Sequence, residues 1–325
     1  MSSCVVIFAQ REDVHAERLH SELSLLGVTA FRIDAEQVDQ LRISFQDGHF
    51  RFDLHGETFR ADEVRSVFVR RRPTSRDFGI SERGPDVDVG TYVALQKEML
   101  FQDAMFSLQA SARFYNSFDS STRFMGKLIQ DIVAKQAGFS VAETLVGSSD
   151  HQVVAFIRKI RDRGGRVCTK PLAQKNLERD GVLYTRYTEL IDDSIKVENE
   201  DFESCPIIFQ EYIEKDYELR VTVADKKVMP IRIESQMAPG DTRIDWRKYN
   251  IPRTPHSACE IPNELADRIL RFHELAGLRF SAFDFIKARD GRYVFLETNP
   301  SGQWLWLENI TGFPITREIA LALCS

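Results

Sequence analysis

Apolar positions along the chain alternate between short continuous runs and spaced stripes, the pattern of strands exchanging with amphipathic helices. Cys4–Ala9 is a continuous apolar run of strand length. Val14, Leu19, Leu23 and Leu26 then recur on one helical side, Gly27 supplies a stop, and Val28–Ile33 is the next strand. The chain thus opens β-α-β, which implies a parallel strand pair. Asp47-Gly48 joins Arg42–Gln46 to His49–Asp53 as a hairpin. Ser66–Val69 is a short strand stopped at Arg70-Arg71-Arg72-Pro73. Three consecutive arginines read as a solvated strand end, with a phosphate or peptide contact as the alternative. Val89 to Ala112 is a long helix whose expected buried positions are Val93, Leu95, Met99, Met105, Phe106 and Leu108.

The middle of the chain repeats the alternation. One helix is expected over Thr122–Gly138, a strand over Phe139–Val146, a helix over His151–Arg163, and strands over Arg166–Lys170 and Val182–Thr188. Lys127 falls near a helix start and Lys170 at a strand end, where a lysine can neutralise a phosphate as a point charge. Ile207–Ile213, Tyr217–Val223 and Val228–Ser235 follow as strands, the second carrying Glu218 and Arg220 on one face and the third carrying Arg232 and Glu234. Ala238–Pro255 is polar and aromatic and reads as a loop, and Pro262–Leu275 is an amphipathic helix stopped by Gly277. A last helix covers Ile315–Leu323.

Ser281–Gly302 carries the densest candidate chemistry. Two strand-like runs flank Asp290-Gly291, a two-residue hairpin signal. Pairing outward sets Arg289 against Arg292, Lys287 against Val294, Phe285 against Leu296 and Asp284 against Glu297, with Asn299 on the same face as Glu297. Two carboxylates directly opposed on one sheet face repel. A divalent cation between them removes the conflict, and Mg²⁺ takes oxygen ligands of this kind together with substrate phosphates.

Composition bounds the rest. The 325 residues are 43% hydrophobic and 28% charged, enough for two or three subdomains with real cores. The net charge of -6 argues against a general nucleic-acid binder. Five scattered cysteines with no CxxC pair predict neither structural disulfides nor zinc, and a cytoplasmic protein. No run approaches transmembrane length, so no membrane partner is expected. Ala9-Gln10-Arg11-Glu12 is not a GxGxxG turn, and Met125-Gly126-Lys127-Leu128 lacks the other parts of a Walker loop.

The order of these pieces resembles the ATP-grasp superfamily: a lysine helix, a strand ending Lys-Pro, Phe209-Gln-Glu-Tyr-Ile, Glu218-Leu-Arg, then Asp284 and Leu296-Glu-Thr-Asn-Pro-Ser-Gly. Lys127-Leu-Ile-Gln, Ile233-Glu-Ser-Gln, Asp245-Trp-Arg-Lys-Tyr and Gln303-Trp-Leu-Trp-Leu-Glu narrow it. Together they are similar to the graspetide synthetases, peptide macrocyclases of the microviridin-ligase type, over nearly the whole chain.

The resemblance implies an α/β ATP-grasp fold, with an N-terminal domain over residues 1–117, a central lid subdomain over 118–205 and a metal-bearing subdomain over 206–325. It implies ATP and Mg²⁺ as cofactors, a ribosomal precursor peptide with leader and core as partner, and a homodimer. Lys127 and Lys170 would contact phosphates. The hinge Glu211-Tyr212-Ile213 would hold adenine through its backbone, and Glu218 the ribose hydroxyls. Arg220 would hold the γ-phosphate and the forming acyl phosphate, and Asp284, Glu297 and Asn299 the metal. Arg232, Asp245 and Arg247 would face the core peptide, with Asp245 either taking the nucleophile's proton or pairing with Arg247.

The chain departs from many ATP-grasp ligases at Leu172–Asp180, which has no glycine until Gly181. This disfavours the glutamate-ligase alternative. Leu172–Gly181 and Ala238–Pro255 are candidate lids, and the acidic run Glu189–Glu203 is either a contact for a basic leader or a solvated face. A non-catalytic ATP-binding module is the remaining alternative, and the intact Arg220, Asp284, Glu297 and Asn299 argue against it.

Overall fold

The computed structural model describes residues 3–80, 87–147, 149–173, 176–191, 205–237, 243–244 and 254–325. The N-terminal part contains strands β1 (Cys4–Ala9), β2 (Ala30–Asp34), β3 (Arg42–Gln46), β4 (His49–Leu54), β5 (Glu57–Arg60), β6 (Val64–Val69) and β7 (Arg113–Tyr115), with helices α1 (Val14–Leu25) and α2 (Val89–Ser111). β2-β1-β6-β7 is a parallel sheet, as the opening β-α-β implies. β3-β4-β5 is an antiparallel meander whose first turn is the expected Asp47-Gly48, both residues at positive φ. β5 and β7 escaped the sequence pattern.

On α2 the buried positions are Ala94, Glu98, Phe101, Ala104, Met105 and Leu108, whereas Val93, Met99 and Phe106 are exposed. Apolar residues occur around the whole circumference of this helix, so hydrophobicity alone could not select its inner face.

The middle part contains α3 (Phe118–Arg123), α4 (Lys127–Gln136), β8 (Ser140–Val141), β9 (Thr144–Val146), α5 (Asp150–Asp162), β10 (Arg166–Lys170), β11 (Asn176–Arg179), β12 (Val182–Thr185) and β13 (Glu189–Leu190). The expected helix over Thr122–Gly138 is interrupted, because Gly126 is extended and starts α4 afresh. Lys127 thereby becomes the first residue of a helix, where unpaired N–H groups and the helix dipole favour an anion. The expected strand Phe139–Val146 is also two strands, and they join different sheets.

The C-terminal part contains β14 (Ile208–Tyr212), β15 (Lys215–Ala224), β16 (Lys227–Ile233), β17 (His256–Ala258), α6 (Asn263–Ala276), β18 (Phe280–Ala288), β19 (Tyr293–Asn299), α7 (Leu305–Thr311) and α8 (Ile315–Cys324). β14 enters the four-stranded sheet β13-β10-β14-β9, and β8 enters the six-stranded sheet β17-β16-β15-β18-β19-β8. The two sheets therefore exchange strands at both ends of the middle region.

Beneath the six-stranded sheet lies an aromatic core. Phe139 stacks on Phe295 with ring centroids 5.6 Å apart and packs edge-on against Phe285, and Phe272 packs on Phe283. A second core joins the parallel sheet to the C-terminal helices through Val5, Ile7, Leu19, Leu23, Trp304, Ile315 and Leu323.

Arg70 is neither solvated nor a free phosphate contact. Its buried guanidinium pairs with Asp13 at 3.1 Å, donates to the carbonyls of Ser301 and Gly302, and lies over the Trp304 ring. Arg71 pairs with Glu36 and Asp77, and Arg72 covers Phe118. The arginine run thus joins the N-terminal sheet to the loop that follows β19.

His15 packs on Trp304 at 4.5 Å inside this junction. Burial, and then the neighbouring Arg70, push its pKa down to about 4 against the opposing pull of Asp13. The native state keeps His15 neutral while the unfolded chain takes up a proton below its ordinary value near 6.5. Stability should therefore fall as pH drops from 6.5 toward 4, by roughly 3 kcal/mol from this residue. Urea unfolding of His15→Gln at pH 7 and pH 4.5 should show an acid loss roughly 2–3 kcal/mol smaller than wild type. The buried His273, whose pKa is pushed down to about 3, leaves a residual acid limb in both proteins.

Candidate active site

The expected hairpin forms between β18 and β19, but its loop has three residues, not two. Ala288 N donates to Arg292 O at 2.9 Å, and Gly291 sits at φ 89°. Lys287 consequently faces Tyr293, Ile286 faces Val294 and Phe285 faces Phe295, correcting the expected Lys287–Val294 and Phe285–Leu296 pairs. A bulge at Leu296 then restores the register, so Asp284 does lie opposite Glu297 and Ala282 opposite Asn299. Phe283 and Phe285 point into the aromatic core and force Asp284 to the other face.

β15 extends this row. Arg220 is directly opposite Asp284 and donates to its Oδ2 at 2.6 Å, both side chains being about nine-tenths buried. Arg220, Asp284 and Glu297 thus form one line across three strands. Lys127, at the start of α4, approaches Glu297 at 3.5 Å and donates to the Pro171 carbonyl at 3.4 Å. Lys170 ends β10 across the cleft. Burial pushes its pKa down, with Glu297 opposing the shift and Lys127 reinforcing it. A polyphosphate laid between these two lysines would reverse the cost of holding both cations there.

The pocket above this row is lined by both sheets. Cys168 and Lys170 come from β10, Gln210, Glu211 and Tyr212 from β14, Lys215 and Glu218 from β15, and Ile286, Leu296 and Glu297 from the hairpin. Ile213 follows β14 into the same lining. The Glu211 N–H donates to Glu143 O at 2.8 Å, and its carboxylate pairs with Arg163. Tyr212 stacks under Arg166. Glu218 is buried, with Oε1 accepting from Lys215 and Oε2 having no hydrogen-bond partner among the described residues.

The donors fit Mg²⁺. Two carboxylates in register and one amide oxygen leave room in the shell for phosphate oxygens and water, as this cation requires. Among the described residues no group of three or more His, Cys, Asp or Glu side chains forms a metal site by itself. Asn299 is exposed, and its Oδ1 accepts from Ser301 N at 2.9 Å, which turns the chain back toward Gly302. Gly302 approaches Ala282 so closely that an added Cβ would lie 2.3 Å from the Ala282 Cβ.

Arg232 does not join this group. Register puts it opposite Leu219, hence on the sheet face turned away from Arg220, and its guanidinium lies 3.8 Å over Tyr217 beside Glu234. Asp245 and Arg247 lie outside the described residues, as do most of the Ala238–Pro255 and Glu189–Glu203 segments. Within Leu172–Gly181, β11 pairs with β12 across the Asp180-Gly181 turn, leaving Val182, Leu183 and Tyr184 exposed.

Three site neighbours were missed in the sequence. Asp131, one helical turn after Lys127, has its pKa raised by burial against the pull of Lys170; its i,i+4 spacing from Lys127 was the available signal. Gln130 is buried and donates to Phe124 O and Thr298 O while accepting from Thr298 N. It thereby holds the residue between Glu297 and Asn299. Lys215 had no readable signal, because strand alternation would separate it from Glu218; an irregularity between Lys215 and Tyr217 brings them together.

The match to solved structures completes the comparison of folds. A ligase from Chryseobacterium gregarium, described as RiPP-associated ATP-grasp and solved with ADP and a leader and core peptide, superposes with a TM-score of 0.80 at 24% identity, over 99% of this chain and 96% of its own. The macrocyclase MdnC of Microcystis aeruginosa MRC, bound with precursor peptide MdnA, gives 0.75 at 22% identity over 98% and 99%. The ATP-grasp ligase PsnB, complexed with a minimal precursor, Mg and ADP, gives 0.74 at 21% over 100% and 98%.

This chain has the ATP-grasp fold. No family model and no curated protein sequence matches it. In ATP-grasp terms, the row Arg220–Asp284–Glu297 lies on the six-stranded sheet and Lys170 on the smaller four-stranded one. No helix among the described residues is long and apolar enough to cross a membrane.

Replacing Gln130 by alanine leaves Thr298 N–H and C=O without their partner and frees the strand between two metal-ligand candidates. The Mg²⁺ concentration for half-maximal ATP turnover should rise about 10-fold, with circular dichroism unchanged. Turnover with unaltered Mg²⁺ dependence would remove Gln130 from any positioning role.

Proposed function

We propose that the chain is an ATP-dependent ligase that closes side-chain ester or amide rings in a ribosomally made precursor peptide. Adenine lies against the backbone of Glu211-Tyr212-Ile213, and the sugar hydroxyls meet the open Oε2 of Glu218. Lys127 and Lys170 hold the phosphates, and Arg220 holds the transferring group. Mg²⁺ on Asp284, Glu297 and Asn299 would supply charge neutralisation at the phosphate oxygens.

A peptide Asp or Glu carboxylate attacks the γ-phosphorus, and ADP leaves with the bonding electron pair. A Ser or Thr hydroxyl, or a Lys amine, then attacks the acyl carbon and displaces phosphate. The nucleophile loses its proton, and each ring costs the peptide one water. Little covalent chemistry falls to the protein, so positioned cations and exclusion of water carry the catalysis. Asp245 and Arg247 are assigned to the core peptide on sequence alone; Arg232, on the far face, is not.

The observation that carries the phosphoryl-transfer step is the row Arg220–Asp284–Glu297 faced by Lys127 and Lys170. The peptide substrate is supported by similarity over nearly the full length to ligases solved with precursor peptides. Residues 1–117, 118–205 and 206–325 serve in this proposal as the N-terminal, lid and metal-bearing units, and a homodimer is the expected assembly.

The test is mass spectrometry of the protein with ATP, Mg²⁺ and the acidic, Ser/Thr/Lys-containing peptide encoded beside its gene. ATP-dependent loss of one water per ring is expected, and fragmentation assigns ester or amide. ATP hydrolysis with an unchanged peptide mass points instead to a small-molecule acceptor. Glu297→Gln should lower turnover by at least about 100-fold without unfolding the protein; retained turnover would remove Glu297 from the metal set.

A further inference from the structure

Lys215 is a buried cation that the proposed reaction does not use. Its side chain is 2% exposed, and Nζ donates to Glu218 Oε1 at 2.8 Å and to the Ile244 carbonyl at 2.9 Å. Burying an ammonium is costly unless a counter-charge and further hydrogen bonds satisfy it, and here both are present. Glu218, 5% exposed, depends on the same contact, since Lys215 is the cation paired with it among the described residues. The neighbouring Arg243 carbonyl is held as well, by Gln236 Nε2 at 3.0 Å and by the Tyr212 hydroxyl at 3.5 Å. Ile244 itself lines the nucleotide pocket.

From this geometry we infer that Lys215 is a positioning residue that makes nucleotide binding and the placement of Arg243–Ile244 mutually dependent. One ammonium orients the carboxylate that meets the sugar and anchors the backbone at Ile244. A nucleotide that draws Glu218 Oε2 into a hydrogen bond fixes the Glu218 carboxylate. That fixes Lys215, and with it the Ile244 carbonyl. Linkage requires the converse: whatever holds Arg243–Ile244 in place raises nucleotide affinity by the same factor. This rests on the nucleotide assignment of the proposed function, and under that function it couples ATP to the core peptide.

Hydrogen–deuterium exchange at Arg243 and Ile244, with and without ADP and Mg²⁺, tests the coupling in the full chain without any peptide. Wild type should exchange about 10-fold more slowly with nucleotide, and Lys215→Met should lose that protection and bind ADP about 10-fold more weakly. Gln236→Ala loosens the Arg243 carbonyl without touching the buried ion pair, which guards against a Lys215 variant that fails to fold. It should raise exchange at Arg243 and Ile244 and weaken ADP binding about 3-fold.

Nucleotide protection that survives Lys215→Met, or ADP affinity unchanged in Gln236→Ala despite faster exchange, overturns the inference. ADP binding with no protection in wild type overturns it too. Failure of the proposed function reads differently: the peptide mass stays unchanged while ADP still binds and the segment still responds.

Discussion

The contact on which the site depends is the buried ion pair between Arg220 and Asp284. Two charges out of water are tolerated only as partners, and losing one would leave the other at a cost of about 3–5 kcal/mol. The pair is fixed by register, because both residues sit between apolar neighbours that must face the aromatic core. Leu219 and Val221 flank Arg220, and Phe283 and Phe285 flank Asp284. A slip of one residue would drive both charges into phenylalanine. The same alternation, after one bulge, brings Glu297 onto the line and Leu296 into the pocket wall.

Around this row the two walls of the pocket are built differently. The end of β19 is gripped from three directions. Gln130 bonds Thr298, Arg70 bonds Ser301 and Gly302, and Asn116 bonds the carbonyls of Phe280 and Pro300. Asn116 holds a left-handed backbone conformation and also accepts from the N–H groups of Arg279 and Phe280, so its strain is over-determined by four bonds. The opposite wall rests on a small core of Val153, Phe156, Ile157, Ile160, Val167 and Phe209. It carries Lys170 and Glu211-Tyr212, the groups proposed to meet a nucleotide. A wall backed by the large aromatic core, opposed by one with a small core, suits the proposed reaction, in which little bonding is done by the protein and much depends on placement.

Charge follows the same division. Carboxylates on the six-stranded sheet face cations from outside it, Lys127 from α4 and Lys170 from β10. Lys127 lies 3.5 Å from Glu297, and burial, reinforced by the nearby Lys127 and opposed by Glu297, depresses the basicity of Lys170. An anionic polyphosphate would relieve the mutual repulsion of the two lysines, and a divalent cation would neutralise the carboxylates.

The sequence by itself determined the elements whose pattern was local. These were the parallel opening, the Asp47-Gly48 hairpin, the helices after Ser149 and Pro262, and the opposition of Asp284 to Glu297, reached because the loop and bulge errors cancelled. Its motifs also carried the resemblance to ATP-grasp enzymes. Only the tertiary structure decided which face of α2 is buried, since its apolar residues surround the helix. It alone turned Arg70 from a solvated strand end into a junction. It sent Arg232 to the far side of the sheet and joined Lys215 to Glu218 through a strand irregularity. Hydrophobic period fixes what alternates along one strand; which strand lies alongside, and where a ladder slips, is settled by packing between segments far apart in the chain.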